Sequence, residues 1–524
     1  MPDRDGSCCR PIIPPITGQI RSDHQSGKAA EIDAFHAYPQ VQTCYHAAMR
    51  SRREIEAFIP SGDAEYDVVV CGAGWAGLGA AVAASRAGAR TLLLEEQNVL
   101  GGVNSFCPWM PVVKMYIPGF YRPRLKGASM GGVHELLESK LQLAGELAIR
   151  RSLPDWPEDC RAIIHPDYLQ CAAFELLEES GCHYLLHALV TDAITEGSTV
   201  TGVVAATKGG SRRYRAAVTI DATGDADVAY AAGASTRKGR PSDGLLMPVT
   251  RTFVLANADF RRLSAYKPGT HAKPIDLAGR SEAERDEIYR RNPALVTEAD
   301  AEFNAVMELA RKQGFATAMW YAFTPTTVPR VVSVNNGGPY LPGNIDATDP
   351  RDLTYAERMG AQIAVDFVTI ARKWSIPGLE DCHLVRVGQR LGVRQTRQIV
   401  GDYTLTADDL INGTEFADAI ALKFESQIDT VYFHATARVG TDVPYRCMLP
   451  AGIEGLLVAG RCVSITPDAS GGLRSQGTVM QLGQAAGVAA AQVARTGGTP
   501  READIAAVQR ALVAMGAPVF RVPE

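Results

Sequence analysis

The chain has 524 residues, of which 46% are apolar and 21% charged, and a formal net charge of −5. That length supports a large core shared between at least two domains. The balance of charge excludes a general attraction to nucleic acid or anionic membranes, and no run approaches the roughly 18 apolar residues that cross a bilayer.

Eleven cysteines are scattered without a C-x-x-C pair, and Cys8 and Cys9 are adjacent. Neither pattern suits a zinc knuckle or an easy disulfide, so no metal site is expected. The N-terminal residues have no apolar h-region and no twin arginine, which gives a cytoplasmic expectation. The basic runs at 122–126 and 211–215 read as solvated loops rather than a nucleic-acid surface.

In chain order, residues 1–64 read as a partly flexible extension, rich in Pro, Ser, Asp and His, with a short helix inside 47–59. "YDVVVCG", from Tyr66, is a short apolar run of the kind expected for a parallel strand buried on both faces. A small-residue helix over 76–87 follows, Gly88 ends it, and "RTLLLEE" is the second strand of a βαβ start. Helices are expected at 132–145 and 166–181, the latter with Pro166 in its first turn. A β-meander turns at Gly197-Ser198 and Gly209-Gly210, and "AVTIDATGDAD" returns to the main sheet.

From about 240 to 385 the chain is richer in Pro and Gly. Capping boxes at Ser281/Glu284 and Thr354/Glu357 open amphipathic helices, the second with Met359, Ile363, Phe367, Ile370 and Trp374 on one packing face. "GLLVAGRCVS" then gives another buried strand, followed by a glycine-rich loop and an Ala-rich helix.

Gly72, Gly74 and Gly77 have the spacing a dinucleotide needs. The first allows a tight turn, the second lets backbone approach a pyrophosphate, and the third packs helix on strand. Glu95, 23 residues after Gly72, ends the second strand where a carboxylate can accept both ribose hydroxyls; Glu96 would face solvent. The GG at 101–102 could carry backbone past a bulky ring system. Gly224 in "IDATGDAD" offers a second approach to the pyrophosphate, and "AGRCVS" a third. The C-terminal helix start brings partial positive charge suited to a reduced flavin. Three such blocks favour FAD over a nicotinamide cofactor.

These blocks, "DVVVCGAGWAGLGAAVAASRAGARTLLLEEQNVLGG", "VTIDATGDADVAYAAGA", "LGVRQTRQIVGDYTLT" and "VPYRCMLPAGIEGLLVAGRCVS…GLRSQGTVMQLGQAAGVAAA", run in order from 66 to about 497. Together they resemble the FAD-dependent oxidoreductases related to glutathione-reductase-like and fumarate-reductase-like flavoproteins. The resemblance implies that Gly72, Gly74, Ala76, Gly77 and Glu95 bind the ADP half of FAD. It puts Gly102 along the cofactor and the Val190 backbone at the adenine. Ala222, Gly224 and Asp225 would form a second contact, with Gly460 and Arg461 near the phosphates. Gly472 through Thr478, including Gln476, would border the flavin. The family's usual Arg-Glu-Thr-Arg carries Gln395 between Arg394 and Arg397, and "VNNGG" at 334–338 also departs from its pattern.

Hydride transfer needs a positioned C–H donor and often a base. Arg394, Arg397 and Arg474 could bind a carboxylate or stabilise flavin charge, with structural ion pairing the competing role for the first two. His434 and Tyr445 are the acid/base candidates. Cys107 lacks a partner for dithiol chemistry, and Cys447 and Cys462 read as packing residues.

The expected architecture is α/β: a Rossmann-like FAD-binding domain assembled from three chain segments, with an inserted α+β substrate domain. The segments are 1–64 (extension), 65–235 (FAD-binding, first part), 236–449 (substrate or cap) and 450–524 (FAD-binding, C-terminal part). The expected activity is hydride transfer between a small organic molecule and the flavin, as a dehydrogenase or oxidase, with a homo-oligomer left open. The alternatives are a flavin monooxygenase and a non-catalytic FAD-binding structural or sensor subunit. The Gly-Trp-x-Trp-x-Ile-Pro stretch of flavin halogenases and the Gly-Asp-Ala-x-His turn of aromatic hydroxylases are both missing.

Overall fold

The computed structural model describes residues 51–112, 131–151, 162–241, 243–267, 301–339, 345–423, 427–429, 434–436 and 440–518. The chain divides into two compact units, Met1–His46 and Ala47–Glu524. The first lies outside the described residues, as do residues 47–50, the Ser281/Glu284 capping box and the basic run at 122–126. The expected short helix before the first strand is a single turn, Arg52–Glu56, closed by a Ser51/Glu54 capping box.

The main sheet takes strands β1 (Ala64–Cys71), β2 (Thr91–Leu94), β3 (His183–Leu185), β4 (Leu189–Glu196), β5 (Thr199–Thr207) and β6 (Gly210–Asp221). A second sheet takes β7 (Phe253–Ala256), β8 (Tyr321–Pro325), β9 (Val331–Asn336) and β10 (His383–Val387). The last, β11, is Leu456–Val458. The main sheet runs β3-β2-β1-β6-β5-β4, with β11 also on β6.

β6 is the spine of this sheet. Its start pairs antiparallel with β5, from Gly202↔Arg215 to Thr207↔Gly210. Its last residues, Thr219–Asp221, pair in parallel with β11, and β1 runs parallel along its other side. Burial records the change of neighbour. The first residues of the hairpin half, Gly210–Arg213, are mostly exposed, whereas Val218–Asp221 are all buried, as a parallel strand covered on both faces requires. Val68–Cys71 and all of β2 are buried for the same reason.

Two helices cover this end of the sheet at unusually short range: α1 (Trp75–Arg86) and, late in the chain, Gln476–Thr496. A Cβ on Gly483 would lie 1.9 Å from the carbonyl oxygen of Ala76, and one on Gly487 would lie 2.2 Å from that of Ala80. From the other side, a Cβ on Gly79 would reach 2.5 Å from the Met480 carbonyl oxygen. Alternating Ala and Gly therefore let two backbones touch where larger side chains would hold them 8–10 Å apart.

Also in this layer are α2 (Gly132–Leu143) and α3 (Pro166–Glu179), close to the sequence expectation. α4 (Ala301–Lys312) and α5 (Pro350–Lys373) lie on a second, antiparallel sheet of order β8-β9-β7-β10. Its core is aromatic: Phe367 meets Tyr321 at 4.9 Å and Phe253 at 5.4 Å between ring centroids. The Gln476–Thr496 helix is α6, and a final helix, Ile505–Ala514, follows it into the same core.

α5 corrects the sequence reading. It opens at Pro350, where Asp349 caps the Arg351 N–H at 2.7 Å. Asp-Pro supplies an acceptor and a preset φ one turn before Thr354. Thr354 instead donates to the Pro350 carbonyl at 2.6 Å, and Glu357 pairs with Arg251 at 2.8 Å. The buried face runs through Ala356, Gly360, Ile363, Ala364, Phe367 and Ile370, leaving Met359 and Trp374 half-buried. Among the described residues no helix is long and apolar enough to cross a membrane.

The helix contact gives a direct stability test. Gly483→Ala forces a Cβ into the Ala76 carbonyl and is expected to cost about 1–3 kcal/mol, read as a lower denaturant midpoint. An unchanged midpoint would contradict backbone contact between α1 and α6.

Candidate cofactor site

The turn after β1 is built by exclusion of side chains. Gly72 has φ +98° and donates to the Leu94 carbonyl at 2.7 Å. A Cβ on Gly72 would lie 2.6 Å from the Ala222 carbonyl oxygen, and one on Gly77 would lie 1.7 Å from the Gly72 carbonyl oxygen. Gly74 differs: its φ is −70°, and a Cβ there would meet nothing within 4 Å. Gly72 and Gly77 are thus glycine because protein fills the space, and Gly74 because its space stays open.

Gly74 is also the N-cap of α1 and offers no side-chain acceptor. α3 and α5 are capped by His165 and Asp349, and at α2 the Val133 N–H is taken by Gln484 at 2.9 Å. The first turn of α1 therefore presents amide donors and positive dipole charge to the open space beside Gly74, the requirement for holding a phosphate.

Glu95 closes the turn from the β2 side. Its carboxylate accepts from the Ala73 N–H at 2.6 Å and the Gln97 N–H at 2.8 Å. Burial raises its pKa, and the two amide bonds oppose that shift. A carboxylate offers about four acceptor sites, so both oxygens can still accept a hydroxyl. Gly101 donates to the Ala73 carbonyl at 2.9 Å, and a Cβ on Gly102 would lie 2.9 Å from Gly74 Cα. The GG pair is packed on the glycine turn itself. Ala188 donates to the Glu95 carbonyl at 2.9 Å, which carries Val190, paired with Ala205, past the same corner.

The second and third segments meet this turn. Ala222 donates to the Cys71 carbonyl at 2.8 Å, and a Cβ on Gly460 would lie 3.3 Å from Ala76 Cβ. Gly224, at φ +83°, leaves room for Arg461, whose Nη1 would lie 2.7 Å from a Cβ there. Arg461 and the Thr396 hydroxyl both donate to the Asp225 carboxylate. At the start of α6, Gln476 Nε2 donates to Asn104 Oδ1 at 3.3 Å, and the Thr478 and Ser475 hydroxyls are 3.0 Å apart. Gly472 lies in the buried helical turn Ser470–Leu473 just before them.

Sequence reasoning missed Asn104. Fully buried, it accepts from Trp75 Nε1 at 2.8 Å and donates to the Met110 carbonyl at 2.7 Å, joining α1, the segment after Gly102 and α6. A lone Asn after a GG pair carries no signal of such a role. Glu96 is exposed, as expected, and pairs there with Arg390 from the segment after β10.

The acid/base candidates scatter. Arg397 bonds the Asp227 carboxylate at 2.9 Å and lies 4.2 Å over the Tyr230 ring, an ion pair that holds the turn after β6. Tyr445 donates to the Pro500 carbonyl at 2.8 Å, and burial pushes its phenol pKa up. Arg394 donates to the Pro248 carbonyl at 2.5 Å and to Asn335 at 3.2 Å, 5.2 Å over the Trp320 ring. Arg474 directly precedes Ser475, the N-cap of α6. The His434 backbone lies in a small ribbon, opposite Asp429; its side chain lies outside the described structure. Burial pushes the Cys107 thiol up to about 11, and Cys447 and Cys462 are fully buried.

Gln395 explains one departure from the usual motif. Its carbonyl accepts from the Met247 N–H at 3.1 Å while its amide donates to Ser470 Oγ at 3.1 Å and the Pro467 carbonyl at 3.5 Å. A carboxylate could not donate to that carbonyl.

Asp221, fully buried at the end of β6, accepts from the Thr223 hydroxyl at 2.7 Å and the Ala229 N–H at 3.0 Å. Burial pushes its carboxyl up to about 6. The folded protein keeps this proton where the unfolded chain has lost it, so Asp221 lowers stability as pH rises from about 4 to about 6. Relative to Asp221→Asn, the wild-type unfolding free energy should fall by about 2–3 kcal/mol across that window. A pH-independent difference would contradict a protonated Asp221.

A family model described as FAD dependent oxidoreductase matches residues 67–512. Comparison with curated protein sequences gives no match. Among solved structures, the chain is similar to OxyS anhydrotetracycline hydroxylase from Streptomyces rimosus, at 16% identity over 86% of this chain and 68% of that one, with a TM-score of 0.40. It is similar to the flavin-dependent brominase Bmp2 at 14% identity over 86% and 83%, TM-score 0.41. A geranylgeranyl bacteriochlorophyll reductase-like protein from Thermoplasma acidophilum matches at 13% over 83% and 79%, TM-score 0.38. Scores this low assign no activity. The family match does assign the cofactor: the protein belongs to the FAD dependent oxidoreductase family, and its cofactor is FAD.

Proposed function

We propose that the protein moves a hydride between a small organic substrate and FAD, with residues 65–235 and 450–524 holding the cofactor and the inserted α+β layer within 236–449 holding the substrate. The observation that carries this reading is the meeting of three distant segments at one turn: Gly72 against Ala222, and Ala76 against Gly460.

In this reading the open space beside Gly74 receives the diphosphate, and Glu95 accepts the ribose hydroxyls. Val190 borders the adenine through its backbone, and Ala222, Gly224, Asp225, Gly460 and Arg461 line the cofactor's middle. Gly472, Gln476 and Thr478 border the flavin. FAD, when bound, supplies the two-electron carrier at flavin N5.

On the substrate side, the second sheet holds a polar network. Asn335 accepts from Arg394 and, at 3.0 Å, from Thr250, and Asn336 donates to the Arg251 carbonyl at 2.7 Å. Arg394, stacked on Trp320, is the cation we assign to orienting an anionic or carbonyl group of the substrate. The segment after Gly102 is tied to this sheet by Ser333 Oγ to the Pro108 carbonyl, 2.8 Å, and Trp109 Nε1 to Thr327, 3.1 Å. Water exclusion at the reacting atoms would come from that junction.

Anaerobic mixing of the FAD-loaded protein with panels of small alcohols, amines and acids tests the reaction. Bleaching of the flavin by one of them, without a nicotinamide, is the expected result. Bleaching by NADH or NADPH alone, with oxygen atoms then appearing in product, would replace hydride transfer with a monooxygenase. A flavin that nothing bleaches would point to a non-catalytic FAD-binding subunit.

The site assignment has its own test. Gly74→Ala adds a methyl group where no protein atom stands, so it should leave the apoprotein's denaturation midpoint within about 0.5 kcal/mol of wild type while lowering FAD retention at least tenfold. Full retention would move the diphosphate away from Gly74.

A further inference from the structure

The glycine turn poses a charge problem that the residues so far assigned to FAD do not solve. A diphosphate brings negative charge into a corner already holding the carboxylates of Glu95, Glu96 and Asp225. Two nearby arginines are each matched by an acid: Arg461 by Asp225 and Arg397 by Asp227. Amide donors at the start of α1 offset only part of that repulsion.

Arg390 comes to the same corner from the other layer of the protein. Its segment is pinned to the one after Gly102: Gln389 donates to the Phe106 carbonyl at 2.9 Å, and Cys107 Sγ lies 3.8 Å from the Arg390 carbonyl oxygen. The far side of the segment is fixed to the second-sheet layer, with Gly388 donating to the Thr252 carbonyl at 2.7 Å and Gly392 to that of Thr250 at 2.7 Å. The guanidinium lies 5.4 Å over the Phe106 ring, in the helical turn whose N-cap, Gly102, packs on Gly74. Its hydrogen-bonded side-chain partner is Glu96, through Nη1 alone. Glu95 and Asp225, on opposite flanks of the glycine turn, both act on its charge. A guanidinium carries five N–H donors in a fork that matches phosphate oxygens, and among the described residues only one is engaged by a side chain.

We propose that Arg390 is a further cofactor-binding residue, a guanidinium supplied by the second-sheet layer to grip the diphosphate of FAD from the side opposite α1. Glu96 holds the fork in position without saturating it. Retention of FAD then depends in part on a side chain of the second-sheet layer. The proposal rests on the assignment of FAD to the glycine turn.

Cofactor-stripped protein titrated with FAD, and separately with ADP as a probe that carries the diphosphate without the flavin, provides the test. Arg390→Gln should weaken both ligands by a similar factor, about 10- to 100-fold. It should also flatten the dependence of FAD affinity on salt, since one phosphate contact is gone. Arg390→Lys should recover part of the loss as a point charge without the fork. Glu96→Gln breaks the same ion pair but keeps the guanidinium, so its FAD affinity should equal or exceed that of wild type. Equal affinity in Arg390→Gln and wild type would overturn the proposal. So would equal losses in Arg390→Gln and Glu96→Gln, which would make the pair a fold contact only. Wild-type protein that binds neither FAD nor ADP would instead remove the cofactor site on which the proposal rests.

Discussion

At the end of β1, a Cβ on Gly77 would lie 1.7 Å from the Gly72 carbonyl oxygen, and a Cβ on Gly72 would lie 2.6 Å from that of Ala222. These approaches are possible only because neither residue has a side chain, and the rest of the molecule follows from them. They bring the N-terminus of α1 to the end of the sheet and let β6 run flush beside β1. With Gly79, Gly483 and Gly487 continuing the same close fit along α1 and α6, the C-terminal segment joins residues more than 400 positions away. The corner proposed to hold the diphosphate is the space left open beside Gly74, where a Cβ would meet nothing within 4 Å.

In the proposed reading, the first layer holds the cofactor and the second carries the chemistry. Glu95 is fixed by two amide bonds and Asp225 by Arg461 and Thr396. Neither can swing toward a reacting atom. Side chains with chemistry to offer, such as Arg394 over Trp320, stand on the second sheet and its connections. The two layers meet through Ser333, Gln389 and Gln395, whose hydrogen bonds cross from one to the other.

The parts legible in the sequence were those set by backbone geometry. Positive φ and close approach leave only glycine a choice, so Gly72, Gly77 and Gly224 announce themselves, and an apolar run such as Val68–Cys71 announces a strand covered on both faces. Helix α5 was legible as a helix but not in its start, because two capping signals competed and Asp349-Pro350 lies one turn earlier than Thr354. The site's side-chain partners were not legible. Arg397 and Tyr445 look like catalytic candidates until Asp227 and the Pro500 carbonyl are found beside them, 170 and 55 positions away. Asn104 and Arg390 gave no signal at all, since a hydrogen bond or ion pair between distant segments leaves no periodicity in either one. Gln395 was visible as a departure, and its reason, a donated bond to the Pro467 carbonyl, lay in the fold.

The central claim is that the corner formed by Gly74, Glu95 and the start of α1 holds FAD. Equilibrium titration of cofactor-stripped protein with FAD and, in parallel, with NAD tests it most directly. The account predicts saturation at one FAD per chain, with NAD binding far weaker, and a marked loss of FAD affinity when Glu95 is changed to Ala. Tight binding of NAD with no uptake of FAD, or FAD affinity untouched by loss of Glu95, would contradict it.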